Sequence, residues 1–209
     1  MLFAEQVEGV WLPAAISGHP ALELCNTWAG WNSPPGSGGD YLRSYETLAV
    51  WARERAGLGQ DETEAACRAA EESPEDGAGV LREVRRLRGH LYQVLLDRAD
   101  DADVRHVARH AQEAQAALRL ERTDVGGLAW RLGREHPVRL PLLAAARAAG
   151  DLVTSPDRQW VHACPGAECG WVFLDPRGRR KWCIMSVCGN RAKARNYARR
   201  KAATGPAGG

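Results

Sequence analysis

Four cysteines near the C-terminus constrain this chain more than any other feature, because they form two short pairs. Cys164 and Cys169 are separated by four residues, thirteen residues follow, and Cys183 and Cys188 repeat the first spacing. Two such pairs around a hairpin-like spacer are typical of a structural zinc site with four thiolate ligands. A module of about 50 residues has little core, so binding of one Zn²⁺ would supply much of its folding energy.

Other interpretations of these cysteines are a disulfide pair, buried free thiols or a catalytic dithiol. The N-terminus shows no secretory signal and no apolar run is long enough for a membrane span, so we expect a cytoplasmic location, where disulfides are rare. The four-residue spacing also differs from the redox Cys-x-x-Cys pattern. His162 is a possible replacement ligand. With four protein ligands the ion would have no open position and would be structural.

Charge is distributed unevenly along the chain, although the net charge is only +2. The segment from Arg177 to Gly209 holds ten basic residues and no acidic residue, whereas Met1 to Pro176 holds 18 basic and 26 acidic residues, a net charge of −8. This separation predicts an acidic body and a basic module that binds nucleic acid or another polyanion. A solvated basic tail is the simpler alternative.

The residues that follow Cys188 are predicted to form a helix that the zinc ion fixes to the finger. Arg191, Arg195 and Arg199 form one stripe on a helical wheel, and the apolar face has only two alanines and part of Tyr197. Such a helix cannot be buried in a core, but it suits DNA phosphates or a major groove. The predicted nucleic-acid contacts are Arg179, Arg180, Lys181, Asn190, Arg191, Lys193, Arg195, Arg199 and Arg200, with Asn190 either a base reader or a helix cap.

The rest of the chain is predicted to be mainly helical, so the fold class is mainly α (α+β). Apolar spacing and capping signals predict helices that begin near Pro20, Ser44, Asp61, Val80, Asp101 and Pro141. Two short strands are expected between Arg119 and Leu132, around a turn at Asp124–Gly127. The predicted domains are a helical regulatory or dimerisation domain over 1–155, a β-hairpin/helix zinc finger over 156–203, and a flexible tail over 204–209.

Two further groups of polar residues are candidate sites in the helical domain. Asn26, Thr27, Trp28 and Trp31 bring an amide, a hydroxyl and two indoles together and could line a small ligand pocket. The alternative is that the amide caps a neighbouring backbone and the indoles fill the core. A histidine pair, His106 and His110, has the i, i+4 spacing of metal ligands but no visible third ligand, so ordinary histidines are favoured.

The second cysteine pair ends in the motif Cys188-Gly189-Asn190-Arg191, and around the four cysteines lie Trp171, Phe173, Asp175, Arg180, Trp182 and Met185. This pattern resembles the bacterial CGNR zinc finger. In that family the finger follows a helical ABATE domain, and Ala21–Thr27 resembles its "LDxxNT" signature, with Glu23 in place of the usual Asp. The resemblance implies a stress-linked transcription regulator.

Together these observations predict a DNA-binding regulator that acts as a homodimer and possesses no enzymatic activity. A small-molecule effector would bind the helical domain. The alternative function is a zinc-stabilised module that binds RNA or an acidic protein without reading a DNA sequence. An enzyme in the helical domain is disfavoured because the sequence offers no nucleophile–base pair.

Overall fold

The computed structural model describes residues 4–34, 36–123 and 125–203, which form seven α-helices and four antiparallel strand pairs. The helices are α1 (Pro20–Asn26), α2 (Tyr45–Ala56), α3 (Gln60–Glu72), α4 (Pro74–Leu95), α5 (Asp101–Ala116), α6 (Leu140–Thr154) and α7 (Asn190–Ala203). The strand pairs are β1 (Ala4–Val7) with β2 (Val10–Pro13), β3 (Trp28–Ala29) with β4 (Gly39–Asp40), β5 (Leu118–Arg122) with β6 (Leu128–Leu132), and β7 (Val161–Ala163) with β8 (Val172–Leu174). The predicted class, mainly α with a small strand pair and a helix at the C-terminal end, is confirmed. The expected flexible tail at 204–209 lies outside the described residues, as does Asp124 of the expected turn.

The core of the helical domain lies around α1 and α6. Every residue from Ala21 to Asn26 is buried, and α6 buries ten of its fifteen residues against α1, α2, α4 and α5. An Ala- and Leu-rich helix of this kind is apolar around most of its circumference, which is why neighbours surround it. No helix in the described ranges combines the length and apolar character needed to cross a bilayer.

Local capping signals explain most helix ends. The Ser44 hydroxyl accepts the Thr47 N–H at the predicted start of α2, and Gly57 ends that helix in the left-handed conformation. The N-cap residue of α1 is His19. The His19 Nδ1 atom accepts the Ala21 N–H at 3.1 Å.

A buried ion pair fixes α4 to the segment that follows α1. Arg88 donates to both carboxylate oxygens of Asp40, at 2.7 and 2.8 Å, and to the Thr27 hydroxyl at 2.8 Å. Asp40 belongs to β4, which pairs with β3, so the ion pair holds both strands of this short ribbon against α4. Removing Asp40 would leave the buried Arg88 guanidinium without its carboxylate partner.

Three histidine rings lie next to one another between α4 and α5. The centroids of His90 and His106 are 4.1 Å apart and those of His106 and His110 are 4.6 Å apart. The His90 Nδ1 atom is hydrogen-bonded to the Asp103 carboxylate. The His110 Nδ1 atom is hydrogen-bonded to the His106 carbonyl. The neighbouring rings are tilted by 35° and 41°, and the four cysteines are the one group found in the described residues whose ligand atoms lie close enough together for a metal ion. The i, i+4 pair is therefore part of the helix packing.

Protonation of His106 should destabilise the fold. Burial, together with the nearby His90, lowers its pKa from 6.5 to about 4. Between these values the unfolded chain binds the proton and the folded chain does not, so the free energy of unfolding should rise with pH from about 4 to 6.5 and this contribution should be constant above 6.5. Urea titrations across this range should show a shallower pH dependence for His106→Phe than for wild type. An identical slope in both proteins would exclude this role for His106.

Candidate metal centre and nucleic-acid interface

The four cysteine sulfur atoms converge on one point. Their Sγ atoms all lie within 4.8 Å of one another, and the Cys169–Cys183 and Cys183–Cys188 separations are 3.6 Å. A disulfide bond is about 2.05 Å long, so these are free thiols. Four Zn–S bonds of about 2.3 Å in tetrahedral geometry place the sulfurs about 3.8 Å apart. The residues therefore fit one Zn²⁺ ion, and exposed His162 is not part of the cluster.

The crowded thiols cannot all ionise without a cation. Hydrogen bonds from the Cys169 and Cys183 thiols lower the pKa of Cys164, whereas the contact with Cys164 raises the pKa of both Cys183 and Cys169, and burial raises it further. One thiolate thus suppresses the ionisation of its neighbours. A divalent ion reverses this effect because it is the largest local charge and binds the deprotonated sulfur. Bound zinc would hold all four cysteines as thiolates and tie the two turns together.

Polar side chains around the cluster hold the two cysteine turns in place. The Asn32 amide donates to the Cys164 and Gly166 carbonyls at 3.2 and 2.8 Å. Asp175 is buried and accepts the backbone N–H groups of Arg179 and Arg180. Its burial alone would raise the pKa of this carboxyl, but the two N–H donors lower it. Asp175 therefore shapes the turn between the cysteine pairs as an anion.

Arg180, a predicted nucleic-acid contact, is directed toward the protein. Its guanidinium donates to the Ile16 carbonyl at 3.2 Å and to the Cys183 carbonyl at 2.8 Å. The same group lies 4.3 Å from the centre of the Phe173 ring, a cation–π contact. Arg180 thus links the second cysteine turn to the helical domain. This position was not expected from the sequence, which shows only a run of basic residues.

The finger is attached to α1 through a buried amide. Asn26 is fully buried, and its side chain accepts the Val172 N–H at 2.8 Å and donates to the Val172 carbonyl at 2.9 Å. The Asn26 side chain thus bonds the backbone N–H and carbonyl of one β8 residue, as a neighbouring strand would. Two residues further along β8, the Leu174 N–H donates to the Ser17 carbonyl at 2.8 Å. Glu23 of α1 holds Ser17 in place by accepting its N–H at 2.7 Å.

Aromatic residues complete the contact between the two modules. Trp31 stacks on Tyr92 with ring centroids 3.8 Å apart, and the Tyr92 hydroxyl donates to the Gly170 carbonyl. Trp171 donates its indole N–H to the Trp28 carbonyl. Gly170 has a φ of +73°, and a Cβ there would lie 2.5 Å from the Trp31 Cβ. Only glycine satisfies both the backbone conformation and the close approach at this position.

The residues predicted to line a ligand pocket thus lie at the junction with the finger. Asn26 binds Val172, Thr27 accepts from Arg88, and Trp28 and Trp31 contact the finger or its support. A cleft of about 490 Å³ opens next to them, lined mainly by the loop between β3 and β4 and by Glu168. Ligand binding by the four predicted residues stays a prediction, while the hydrogen bonds of Asn26 and Trp28 with the finger are a finding.

The basic helix α7 extends from the metal cluster. A single π-helical turn, Met185–Gly189, contains Cys188 and leads directly into α7. Of the residues from Asn190 to Ala202 all are exposed except Ala192, which is half-buried, and Tyr197 retains 68% of its surface. The Asn190 side-chain amide donates to the Ser186 carbonyl at 3.0 Å, and this local hydrogen bond stabilises the start of the helix. The structure thus presents the arginine stripe of α7 to solvent.

Lys181 and Arg179 also lie on the exposed surface before Cys183. The Lys181 ammonium lies 5.6 Å from the centre of the Trp182 ring.

The supporting residues Asn32, Tyr92 and Gly170 were not singled out from the sequence, because each contacts a partner that is far away in the sequence. For Asp175 and Arg180 a signal existed, since both fit the pattern quoted above, but the pattern does not say what they contact.

Comparison with family models agrees with this two-module arrangement. The model described as "Putative stress-induced transcription regulator" (ABATE) matches residues 18–156, which is more than half of the chain. The model of the CGNR zinc finger matches residues 161–201. The two matches occur in the order that the sequence resemblance predicts, and that resemblance is confirmed. No curated protein matches the chain.

Replacing one ligand should remove the metal. We expect Cys183→Ser to lower the zinc content of the purified protein from one ion per chain to a small fraction, because a site with three thiolates binds zinc far more weakly. Hydrogen exchange should then accelerate between residues 161 and 189. Cys67→Ser, outside the cluster, is the matched control and should retain the ion. Unchanged zinc content in Cys183→Ser would contradict the four-thiolate site.

The buried amide can be tested separately from the metal. Asn26→Leu preserves size but leaves the Val172 N–H and carbonyl without partners, so the free energy of unfolding should fall by about 3 kcal/mol. Exposed Asn196 offers a control, and Asn196→Leu should change stability by less than about 0.5 kcal/mol. Urea unfolding of the zinc-loaded proteins measures both. Equal stability of Asn26→Leu and wild type would show that the amide does not hold the finger.

Proposed function

Because the chain belongs to the ABATE family of putative stress-induced transcription regulators and carries a CGNR zinc finger, we propose that it regulates transcription by binding DNA through helix α7. The observation that carries this proposal is a zinc-tied helix whose arginine stripe is exposed along its whole length. Ten basic residues and no Asp or Glu occur from Arg177 onward. Helix α7 therefore contains no acidic side chain of its own with which its arginines could form the i, i+4 salt bridges of an ordinary charged surface helix.

The dimensions of α7 suit a DNA groove. A helix of 14 residues is about 21 Å long at 1.5 Å per residue. Arg191, Arg195 and Arg199 therefore span about 12 Å along one side, which is close to the width of the DNA major groove at about 12 Å. Arg191 follows the zinc ligand Cys188 by three residues, so the metal fixes the first arginine more firmly than the last.

The proposal also covers the mode of action. A zinc ion with four cysteine ligands has no free position for water or substrate, which supports binding and not catalysis as the activity.

We further propose a cytoplasmic homodimer whose helical domain responds to a small-molecule effector. An effector near Trp28 would act on the finger directly, since the Trp28 carbonyl accepts the Trp171 indole N–H.

The test is selection of genomic DNA fragments by the purified, zinc-loaded chain at two salt concentrations. We expect an enriched sequence motif for wild type and its loss in the double variant Arg191→Ala plus Arg195→Ala. On a fixed duplex, the slope of log K against log salt should decrease in magnitude by about 2 in this variant, since each phosphate contact contributes about 0.9.

The matched control removes two exposed arginines with the same spacing from α4, Arg82→Ala plus Arg86→Ala, and should retain both the motif and the salt slope. Retention of all DNA equally, without a motif, would replace sequence-specific regulation by phosphate binding alone. Absence of DNA binding at low salt would favour the alternative of RNA or an acidic protein partner, which the same variants can then test.

A further inference from the structure

The β5–β6 hairpin is an arm whose apolar face is exposed. Across the hairpin Leu120 pairs with Trp130, and Leu118 pairs with Leu132. Opposite residues share a face, and so do alternate residues along a strand. At the base of the arm Leu132 is buried, but Leu120 and Trp130 are 52% and 56% exposed, and Leu128 also faces solvent. The apolar face therefore begins in the core and continues beyond it.

A concave apolar surface lies elsewhere on the same domain, between α5 and α6. This groove has a volume of about 380 Å³, and its walls include Val104, Val107 and Ala108 of α5 and Val153 of α6. Gly150 lets the two helices approach closely, since a Cβ there would lie 3.1 Å from the Ala111 Cβ. Pockets of about 300–1,000 Å³ with mostly apolar walls are the usual receptors for apolar groups.

The arm and the groove are complementary in shape and in charge. The groove is large enough for an indole together with a leucine side chain, which the arm presents side by side in Trp130 and Leu120. Residues 118–132 carry three arginines and two acidic residues, whereas residues 97–105, at the end of the groove, carry four aspartates and two arginines. In one chain the arm remains exposed, so it does not occupy its own groove.

We propose that the β5–β6 arm of each chain inserts its apolar face into the α5–α6 groove of a second copy, which produces a two-fold homodimer. The complement to each surface is present on the chain itself, and a two-fold axis makes the contact twice. Burial of Trp130 removes a large aromatic surface from water, the kind of side chain that dominates interface energies. This inference deepens the dimeric part of the proposed function and rests on it.

The test uses the full-length, zinc-loaded protein and measures its mass in solution by analytical ultracentrifugation. Wild type should have twice the mass of one chain. Trp130→Asp and Val104→Lys, one substitution on each surface, should each raise the dissociation constant of the dimer by roughly 30-fold or more, as loss of a central contact does. Trp11 is an equally exposed tryptophan on the β1–β2 hairpin, and Trp11→Asp should leave the dimer intact.

Photo-crosslinking provides an independent measurement that does not depend on the stability of the variants. Leu128→p-benzoylphenylalanine should yield a crosslinked dimer whose attachment sites lie in residues 104–112 or 150–154. A monomeric wild type, a dimer insensitive to both Trp130→Asp and Val104→Lys, or crosslinks to other segments would overturn the inference. DNA binding by a monomer would overturn this inference and the proposed homodimer but would leave DNA binding through α7 intact, whereas a dimer that does not bind DNA would overturn only the proposed DNA binding.

Discussion

The pairing of the Asn26 amide with the Val172 backbone is the contact on which the arrangement of this molecule depends. It lies in the interior, where both backbone groups of Val172 would otherwise have no water to bond with. Because the unpaired state is so costly, the finger strand can occupy one position against α1 and no other. The neighbouring contacts, from Ser17 to Leu174 and from Tyr92 to Gly170, then keep the same register.

Zinc and the helical domain contribute to the stability of the finger in different ways. Four thiolates joined by one ion would close the two cysteine turns, but they do not fix the direction in which α7 leaves the body. That direction depends on Asn32, Arg180 and the tryptophans, which bind the turns from outside. The helical domain therefore serves as part of the outer support of the metal site, a role that second-layer residues play in other zinc proteins.

The sequence predicts the order of the helices, the metal ligands and the exposed basic helix well, because each depends on residues close together in the chain. The predicted start of α4 near Val80 is wrong, since the helix already begins at Pro74. Ser44 and Gly57 mark the ends of α2, and four cysteines at fixed spacing give the zinc site. The sequence predicts the contact between the finger and the helical domain poorly, because Asn26 and Val172 are 146 positions apart. The residues next to Asn26 in the sequence do not show whether its amide binds a strand or a ligand. The same limit applies to Arg180, whose partners include the carbonyl of Ile16.

The Asn26 contact also has a consequence for how the two modules can be recombined. Asn26 recognises the backbone of residue 172 and not its side chain, so the finger strand is selected by its path and its register. A finger from a related chain should be accepted by this body when its strand keeps that register and retains a glycine at position 170. The DNA specificity proposed for α7 could then be exchanged by grafting fingers, with the helical domain left intact.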